Sequence, residues 1–456
     1  MSTDHMPAGD GDAGSTPSVS LAEPVSLTDR ISSIDVLRGF ALLGILVINI
    51  DLFSMSVAVM QNPPVMGGFS GLDFASWRVS YVLFSMKFLA LFSMLFGAGI
   101  ILIYQRAEAR GESMRSAFFR RQWWLLLFGA LHAYLLWFGD ILFPYAICGM
   151  IVYLFRRKSA RFLVIFGLIV TSFGLVPMTG AGVIIGWVKG LAESGQAALD
   201  AGGTPTDMER QMMDSWAEMA EGFNPSPETL AREIETMRSG YGEIIARQFP
   251  VVLQTHLFAY PFFIVWRIAG LMLVGMGLMK LGVFSAARST RFYLWSMIIG
   301  YGIGLPGSWY GSEMLVRHEF DHVYMFTVGM SYDYIAGLLV VLGHVGLVML
   351  ICRLGMLPGV RARLAAVGRM ALSNYLIQSL VGTFLFYGWG LGYFGEFNRA
   401  ELWLLVFAIW GVQLFYSPLW LSKFRFGPFE WLWRSLTYKK RQPMRLVSGE
   451  VGPVAT

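Results

Sequence analysis

The sequence predicts an all-α, polytopic membrane helical bundle of about ten transmembrane helices, with both termini cytoplasmic (N-in/C-in). Three observations carry this prediction. Hydrophobic residues make up 55% of the chain and charged residues only 14%, whereas a soluble domain is about a quarter charged. Apolar runs long enough to cross roughly 30 Å of hydrocarbon recur along the chain. Lys and Arg concentrate in alternate short loops, which the positive-inside rule places in the cytoplasm. The net charge of +5 therefore belongs to membrane topology and not to nucleic-acid binding. Cys148 and Cys352 lie in apolar runs, so they read as small hydrophobes and exclude a disulfide or metal framework.

Residues 1–29 are rich in Gly, Ser, Pro and Asp and lack a basic stretch leading into an apolar core. They are expected to form a disordered cytoplasmic tail, not a signal peptide. One transmembrane domain then covers 30–440, and 441–456 forms a second cytoplasmic tail. The expected helices are 36–57, 77–104, 122–139, 141–155, 162–188, 250–279, 292–311, 326–352, 370–390 and 400–422. The third and fourth need a tight turn at Gly139-Asp140, placed on the outside. The inside loops, including QRAEARGESMRSAFFRRQ and RLGMLPGVRARLAAVGR, are basic, whereas the outside loop 58–76 up to Trp77 has no Lys or Arg. The acidic segment 190–249 falls outside, and Asn224-Pro225-Ser226-Pro227 divides it; amphipathic helices over the outer mouth are expected there. Gly97-Ala98-Gly99 and the run Gly270–Gly277 read as close-packing helix faces, because no strand precedes them to make a phosphate loop.

Several spans carry polar groups that an anchor would not need. In the first, Asp35, Arg38 and Asn49 share one stripe about 21 Å long. Arg38 and Asn49, Arg121 and His132, and in reverse order His256 and Arg267, are each eleven residues apart, so each pair occupies one helix face about 16 Å apart. With the expected topology, every Arg faces the cytoplasmic end. Snorkelling explains such an Arg equally well, and His132 and His256 also read as packing histidines. Taken functionally, Arg38, Arg121, Arg267 and Lys87, with Asp35 beside Arg38, form an inner ring for an anionic head group such as the phosphates of acyl-CoA. Asn49, His132, Asp140 and His256 form an outer set: His132 as general base, Asp140 to orient it, and Asn49 to stabilise an oxyanion. Asn374 and Gln378, one turn apart in the ninth span, add a polar patch that suits substrate contact or interhelical hydrogen bonding.

His318-Glu319-Phe320-Asp321-His322 matches the H-E-x-x-H zinc pattern. A short pattern with two free positions recurs by chance in a chain with six His, so the expectation is a solvated acidic loop and no metal.

Six stretches, in order from about 30 to 440, carry a resemblance: IDVLRGFALLGILVINI, KFLALFSMLFGAG, RRQWWLLLFGALHAYLLWFGDIL, WRIAGLMLVGMGL, GRMALSNYLIQS and FRFGPFEWLWRSLTY. Together they closely resemble the YeiB-like family of bacterial multipass membrane proteins, known as domain of unknown function 418. That family is distantly similar to the transmembrane acyltransferases, which include the lysosomal heparan-α-glucosaminide N-acetyltransferase. The shared signature is Asp-x-x-Arg-Gly, here Asp35 to Gly39, with an Asn fourteen residues after the Asp, here Asn49. The resemblance implies transfer of an acyl group from a cytosolic thioester to a hydroxyl or amine across the membrane. The chain departs from it in one respect: the acetyltransferase's catalytic His follows this span, and 57–76 contains none. The base must then lie elsewhere, and His132 is the choice.

These readings converge on a bacterial cytoplasmic (inner) membrane protein with acyl-CoA as co-substrate and no tightly bound cofactor. Its partners are the lipid bilayer and a small-molecule, sugar or lipid acceptor, and a homodimer is allowed. The competing class is a transporter or exporter of a small anionic or lipid-like solute without covalent chemistry.

Overall fold

The computed structural model describes residues 32–111 and 114–446, so the 1–29 tail and the end of the 441–456 tail lie outside the described residues. Among the described residues there is no β-strand, only an isolated antiparallel bridge between Phe424 and Arg445. The helices are α1 (Ser32–Ser54), α2 (Gly71–Val79), α3 (Lys87–Ala109), α4 (Arg115–Leu135), α5 (Leu142–Val152), α6 (Ala160–Phe173) and α7 (Leu175–Asp200). They continue with α8 (Asp207–Phe223), α9 (Pro227–Met237), α10 (Tyr241–Gln254), α11 (Val265–Lys280), α12 (Thr290–Arg317) and the single turn α13 (His322–Tyr324). The chain ends with α14 (Met330–Arg353), α15 (Pro358–Arg369), α16 (Ala371–Phe386), α17 (Arg399–Leu421) and α18 (Pro428–Tyr438).

Each expected span has a helical counterpart. Six continuous stretches among the described residues are long and apolar enough to cross a membrane, while Leu142–Phe155 and Ala371–Phe386 are apolar but shorter. Large apolar side chains face outward on these helices, among them Ile165 and Ile169 on α6 and Leu404, Val412 and Phe415 on α17. A water-facing surface would not carry so many; a lipid-facing one does. The chain is a multi-pass integral membrane protein.

Small residues set the helix crossings, as expected where lipid is as apolar as the helices themselves. A Cβ on Gly97 of α3 would lie 2.0 Å from the Met272 carbonyl oxygen of α11, and one on Gly275 would lie 1.9 Å from that of Met94. This is the close-packing role read from both glycine runs. The central helix α1 is packed against α3, α14, α15, α16 and α17. Its crossing with α15 is equally tight: a Cβ on Gly368 would sit 2.0 Å from the Asp35 carbonyl oxygen, and one on Gly39 2.0 Å from that of Leu364.

Four features depart from the sequence reading. The second span is broken, because Ser85 is extended and Met86 left-handed (φ 57°) between a π turn at Ser80–Phe84 and α3. The freed Tyr81 carbonyl accepts a hydrogen bond from Lys87 Nζ at 2.7 Å, which compensates the break. The basic stretch after Arg353, read as a loop, contains α15, since Pro358 opens a helix and Gly368 lets it pack on α1. Third, the Gly139-Asp140 turn is not exposed: Asp140 is 1% exposed and the turn is held inside the bundle by Tyr260 and Tyr375. Last, the fifth span runs on through α7 to Asp200, so the insertion begins inside a helix, with the amphipathic α8 and α9 following.

The connections fall into two groups. At one end, Lys280 Nζ donates to the carbonyls of Arg156 and Lys158, Arg120 to Thr437, and Arg353 to Ala286. At the other, Asn62 meets Asn224, Ser56 donates to Glu233, Arg238 donates to the Phe394 carbonyl, and Lys189 pairs with Asp321. The first group carries the basic loops.

Candidate functional site

A cavity of about 240 Å³ opens at the basic end between α1, α3, α4, α15 and α18. Five arginines line it: Arg38, Arg106, Arg121, Arg369 and Arg434, against two carboxylates, Asp35 and Glu430. That leaves an excess of three positive charges around one space. The α1–α15 crossing explains two of the five, since Arg38 adjoins Gly39 and Arg369 adjoins Gly368, and the two glycines bring their neighbours to one mouth. Arg38 pairs with Asp35 at 2.8 Å one turn earlier. The Arg121 guanidinium carbon sits over the Trp433 ring, 3.6 Å from its centre, and the Trp433 indole donates to the Arg121 carbonyl at 2.9 Å. A guanidinium stacked this way keeps its edge available to a phosphate.

Glu430 of α18 serves a different purpose. Its carboxylate accepts from the Leu372 and Ser373 amides at 2.7 and 3.0 Å, and from the Ser373 hydroxyl, which caps α16 from another helix. Burial pushes its carboxyl above the usual range, against the lowering effect of those hydrogen bonds.

Deeper in, the walls become apolar, with Phe92, Leu95, Phe96 and Ile103 from α3 and Leu125 from α4. The cavity ends at Tyr145, Ile141 and Tyr375. Behind Tyr375 stands a buried dyad. His132 Nδ1 and Asp140 Oδ1 are 2.8 Å apart, at 4% and 1% exposure, and the His132 ring is 5.2 Å from that of Tyr375. Asp140 Oδ2 accepts from the Phe143 amide at 2.7 Å, tying the carboxylate to the first turn of α5. A carboxylate only accepts, so Nδ1 donates to Asp140, and in the neutral ring Nε2 carries the lone pair. That Nε2 is buried without a partner. His132 does not itself line the cavity; Tyr375 separates the two.

The remaining predicted residues scatter. Asn49, half-buried on α1, lies one turn before Phe53, whose ring packs on Trp137 at 4.2 Å beside His132. His256 approaches the dyad's hairpin from the far side, stacked on Phe143 at 4.1 Å, in a π segment whose Tyr260 donates to the Asp140 carbonyl. Lys87 and Arg267 do not join the arginine ring. Lys87 is fully buried in an ion pair with Asp333, and Arg267 lies over Tyr334 at 4.2 Å, because α3 and α11 face each other across their glycines. Asn374 bonds to the Val367 carbonyl, Ser417 and Tyr416, and Gln378 to Gln413, so both form interhelical links between α16 and α17 and do not line the cavity. The H-E-x-x-H stretch is not helical: Glu319 and Phe320 are both left-handed, His318 stacks on Tyr324 and His322 on Phe223. Its two His therefore share no helix face.

Sequence reasoning missed Arg106, Arg369, Arg434, Glu430 and Tyr375. Four of them lie in stretches already singled out, GRMALSNYLIQS and FRFGPFEWLWRSLTY, where other residues or the resemblance drew the reading.

The family described as "Protein of unknown function (DUF418)" matches residues 278–440. The uncharacterized protein YeiB of Escherichia coli (strain K12) is 30% identical over 430 residues, covering 91% of this chain and 98% of that protein. The uncharacterized protein YxaH of Bacillus subtilis (strain 168) is 29% identical over 447 residues, covering 93% and 98%. No solved structure matches the chain significantly.

Proposed function

The chain belongs to the YeiB-like DUF418 family, and from that premise we propose that it is an acyltransferase of the bacterial cytoplasmic membrane. Both termini are cytoplasmic, since the arginine-rich end then faces inward. It takes an acyl group from cytosolic acyl-CoA and delivers it to a hydroxyl or amine on a sugar, lipid or small-molecule acceptor entering from outside. The observation that carries this reading is the alignment of a basic mouth, an apolar barrel and a His–Asp dyad behind one tyrosine. Arginines bind the coenzyme's phosphates, the barrel takes the acyl chain, and rotation of Tyr375 connects the thioester to His132.

The step balances with the chain's own residues. His132 Nε2 removes the acceptor proton as its oxygen or nitrogen attacks the thioester carbonyl carbon. The oxyanion collapses, the C–S bond breaks, and the thiolate leaves. The imidazolium returns the proton to that sulfur, with Asp140 having stabilised its charge in between. Asn49 is the candidate oxyanion donor.

Purified protein in lipid nanodiscs, given radiolabelled acetyl-CoA and longer acyl-CoAs, tests this directly. Wild type should bind the thioester and release free thiol when acceptor is present. His132→Ala should bind without turnover, and Arg38→Ala and Arg121→Met should bind weakly. A protein that binds no thioester, or binds it indifferently to both arginines, would falsify the reading.

One observation favours the second reading, transport without covalent chemistry. The span interrupted at Ser85-Met86 is the kind of discontinuous helix that lines solute sites in transporters. Solute movement in proteoliposomes that survives His132→Ala would select it.

A further inference from the structure

Arg267 is 2% exposed, deep in the bundle, and makes one distant hydrogen bond, from Nη1 to the Tyr334 carbonyl at 3.4 Å. Among the described residues, its Nε and Nη2 are buried with no partner and no carboxylate lies within ion-pair distance. The carboxylate of the neighbourhood, Asp333, is already held by Lys87 and by the Ser308 hydroxyl at 2.8 Å. Arg267 is close enough for its charge to act on Lys87. Two basic side chains thus share one carboxylate in a region sealed from the cavity. A lone buried charge with donors unspent is the least tolerable state a membrane interior offers.

A second orphan lies alongside. The Thr171 hydroxyl of α6 is fully buried without a partner and rests against Gly270, one turn along α11 from Arg267. Tyr334 ties the two together. Its hydroxyl donates to the Thr171 carbonyl at 2.6 Å while its ring lies under the guanidinium at 4.2 Å. The unspent groups are donors: guanidinium N–H groups and a hydroxyl. Donors without acceptors, beside a net positive charge, call for an anion and not for a cation or an apolar guest.

We propose that Arg267 and Thr171 form a binding site for a small inorganic anion of chloride size, distinct from the arginine-lined cavity and independent of the acyl-transfer reading. The anion neutralises the Lys87–Asp333–Arg267 group and locks α6, α11 and α14 together. Chloride depletion then loosens the bundle without touching the cavity.

The test compares thermal unfolding of the whole protein in detergent, with chloride replaced by gluconate at constant ionic strength. Chloride should raise the Tm of wild type by a few degrees, growing with the logarithm of its concentration as mass action requires. Arg267→Gln should abolish that dependence, and Thr171→Val, which keeps shape and charge, should weaken it several-fold. Crystals grown in bromide should show an anomalous peak within hydrogen-bond reach of Arg267 Nη2. If Arg267→Gln does not fold, Thr171→Val and the bromide position decide. Equal Tm in both salts, a chloride response unchanged in Arg267→Gln or in Thr171→Val, or bromide bound only elsewhere, overturns the site. A cleft filled by water alone gives that first result.

Discussion

Two groups of basic residues that the sequence places in one inner ring have opposite fates. Arg38 and Arg121 stand at the mouth of a cavity, one paired with a carboxylate and one stacked on an indole. Lys87 and Arg267 are sealed between α3, α11 and α14. The two groups differ in helix separation. Gly97 and Gly275 let α3 and α11 touch backbone to backbone, which leaves no room for a coenzyme-sized ligand between them. Gly39 and Gly368 make an equally close crossing, but there the arginines flank the glycines and project to one side. Charge in a span therefore does not announce a ligand site; the packing of its neighbours decides whether it becomes one or becomes a structural pair.

The largest expected effect separates the two regions. Lys87→Met leaves Asp333 buried with only Ser308 for company, and breaking such a pair costs about 3–5 kcal/mol. The paired change Lys87→Met with Asp333→Leu should recover most of that loss. Thermal or denaturant unfolding of the single and double variants measures both. A Lys87→Met protein as stable as wild type would put Lys87 on the same footing as the arginines at the mouth.

Next in size is Gly368→Val. Its Cβ would meet the Asp35 carbonyl oxygen at 2.0 Å, so α1 and α15 must part. Overpacking of this kind costs roughly 1–3 kcal/mol, and more where backbone must move. The variant should also lose acyl-CoA binding, because Arg38 and Arg369 separate with their helices. Retained binding in a destabilised protein would detach the crossing from the mouth.

How much of this was legible follows from particular residues. Apolar runs and basic loops sufficed for the spans, because lipid demands both. The break at Ser85-Met86 left no trace, since neither Gly nor Pro marks it and Lys87 repairs it from a distance. α15 was hidden because arginines at 361, 363 and 369 read as a loop. The eleven-residue spacing brought Arg121 and His132 onto one face of α4, and here face and neighbourhood agree: the arginine lines the cavity and the histidine backs onto its end. Between His256 and Arg267 the same spacing misled, because the π segment Thr255–Ile264 precedes α11 and breaks the 3.6-residue period the spacing assumes. His132–Asp140 was readable as a pair eight residues apart, while Tyr375 between it and the cavity was not.

Charge removal at the mouth gives a smaller stability effect and so sharpens the contrast. Arg121→Met gives up a cation–π contact worth about 0.5–1 kcal/mol and leaves no carboxylate stranded. Its unfolding should therefore stay close to that of wild type while acyl-CoA binding, followed by equilibrium dialysis, falls at least tenfold, as expected for a lost charge-assisted bond of about 1.5–3 kcal/mol. A loss of stability rivalling that of Lys87→Met would make Arg121 a structural residue after all.

The smallest effect is a pH dependence, and it belongs to Glu430 on the amphipathic helix beyond the last span. Burial raises its carboxyl, so between the ordinary carboxylate range and that raised value the folded protein holds a proton the unfolded chain has lost. Stability must then fall as pH rises through this window and stay level on either side of it. The opposing hydrogen bonds from Leu372 and Ser373 keep the slope shallow. Glu430→Gln preserves an acceptor for those amides and cannot ionise, so its share of the slope should vanish while the cap on α16 remains. Comparing Tm against pH for the two proteins isolates that share. Parallel curves would mean that Glu430 is solvated in the native state, and α18 would then sit less tightly over the cavity mouth than its contacts with Ser373 and Arg121 require.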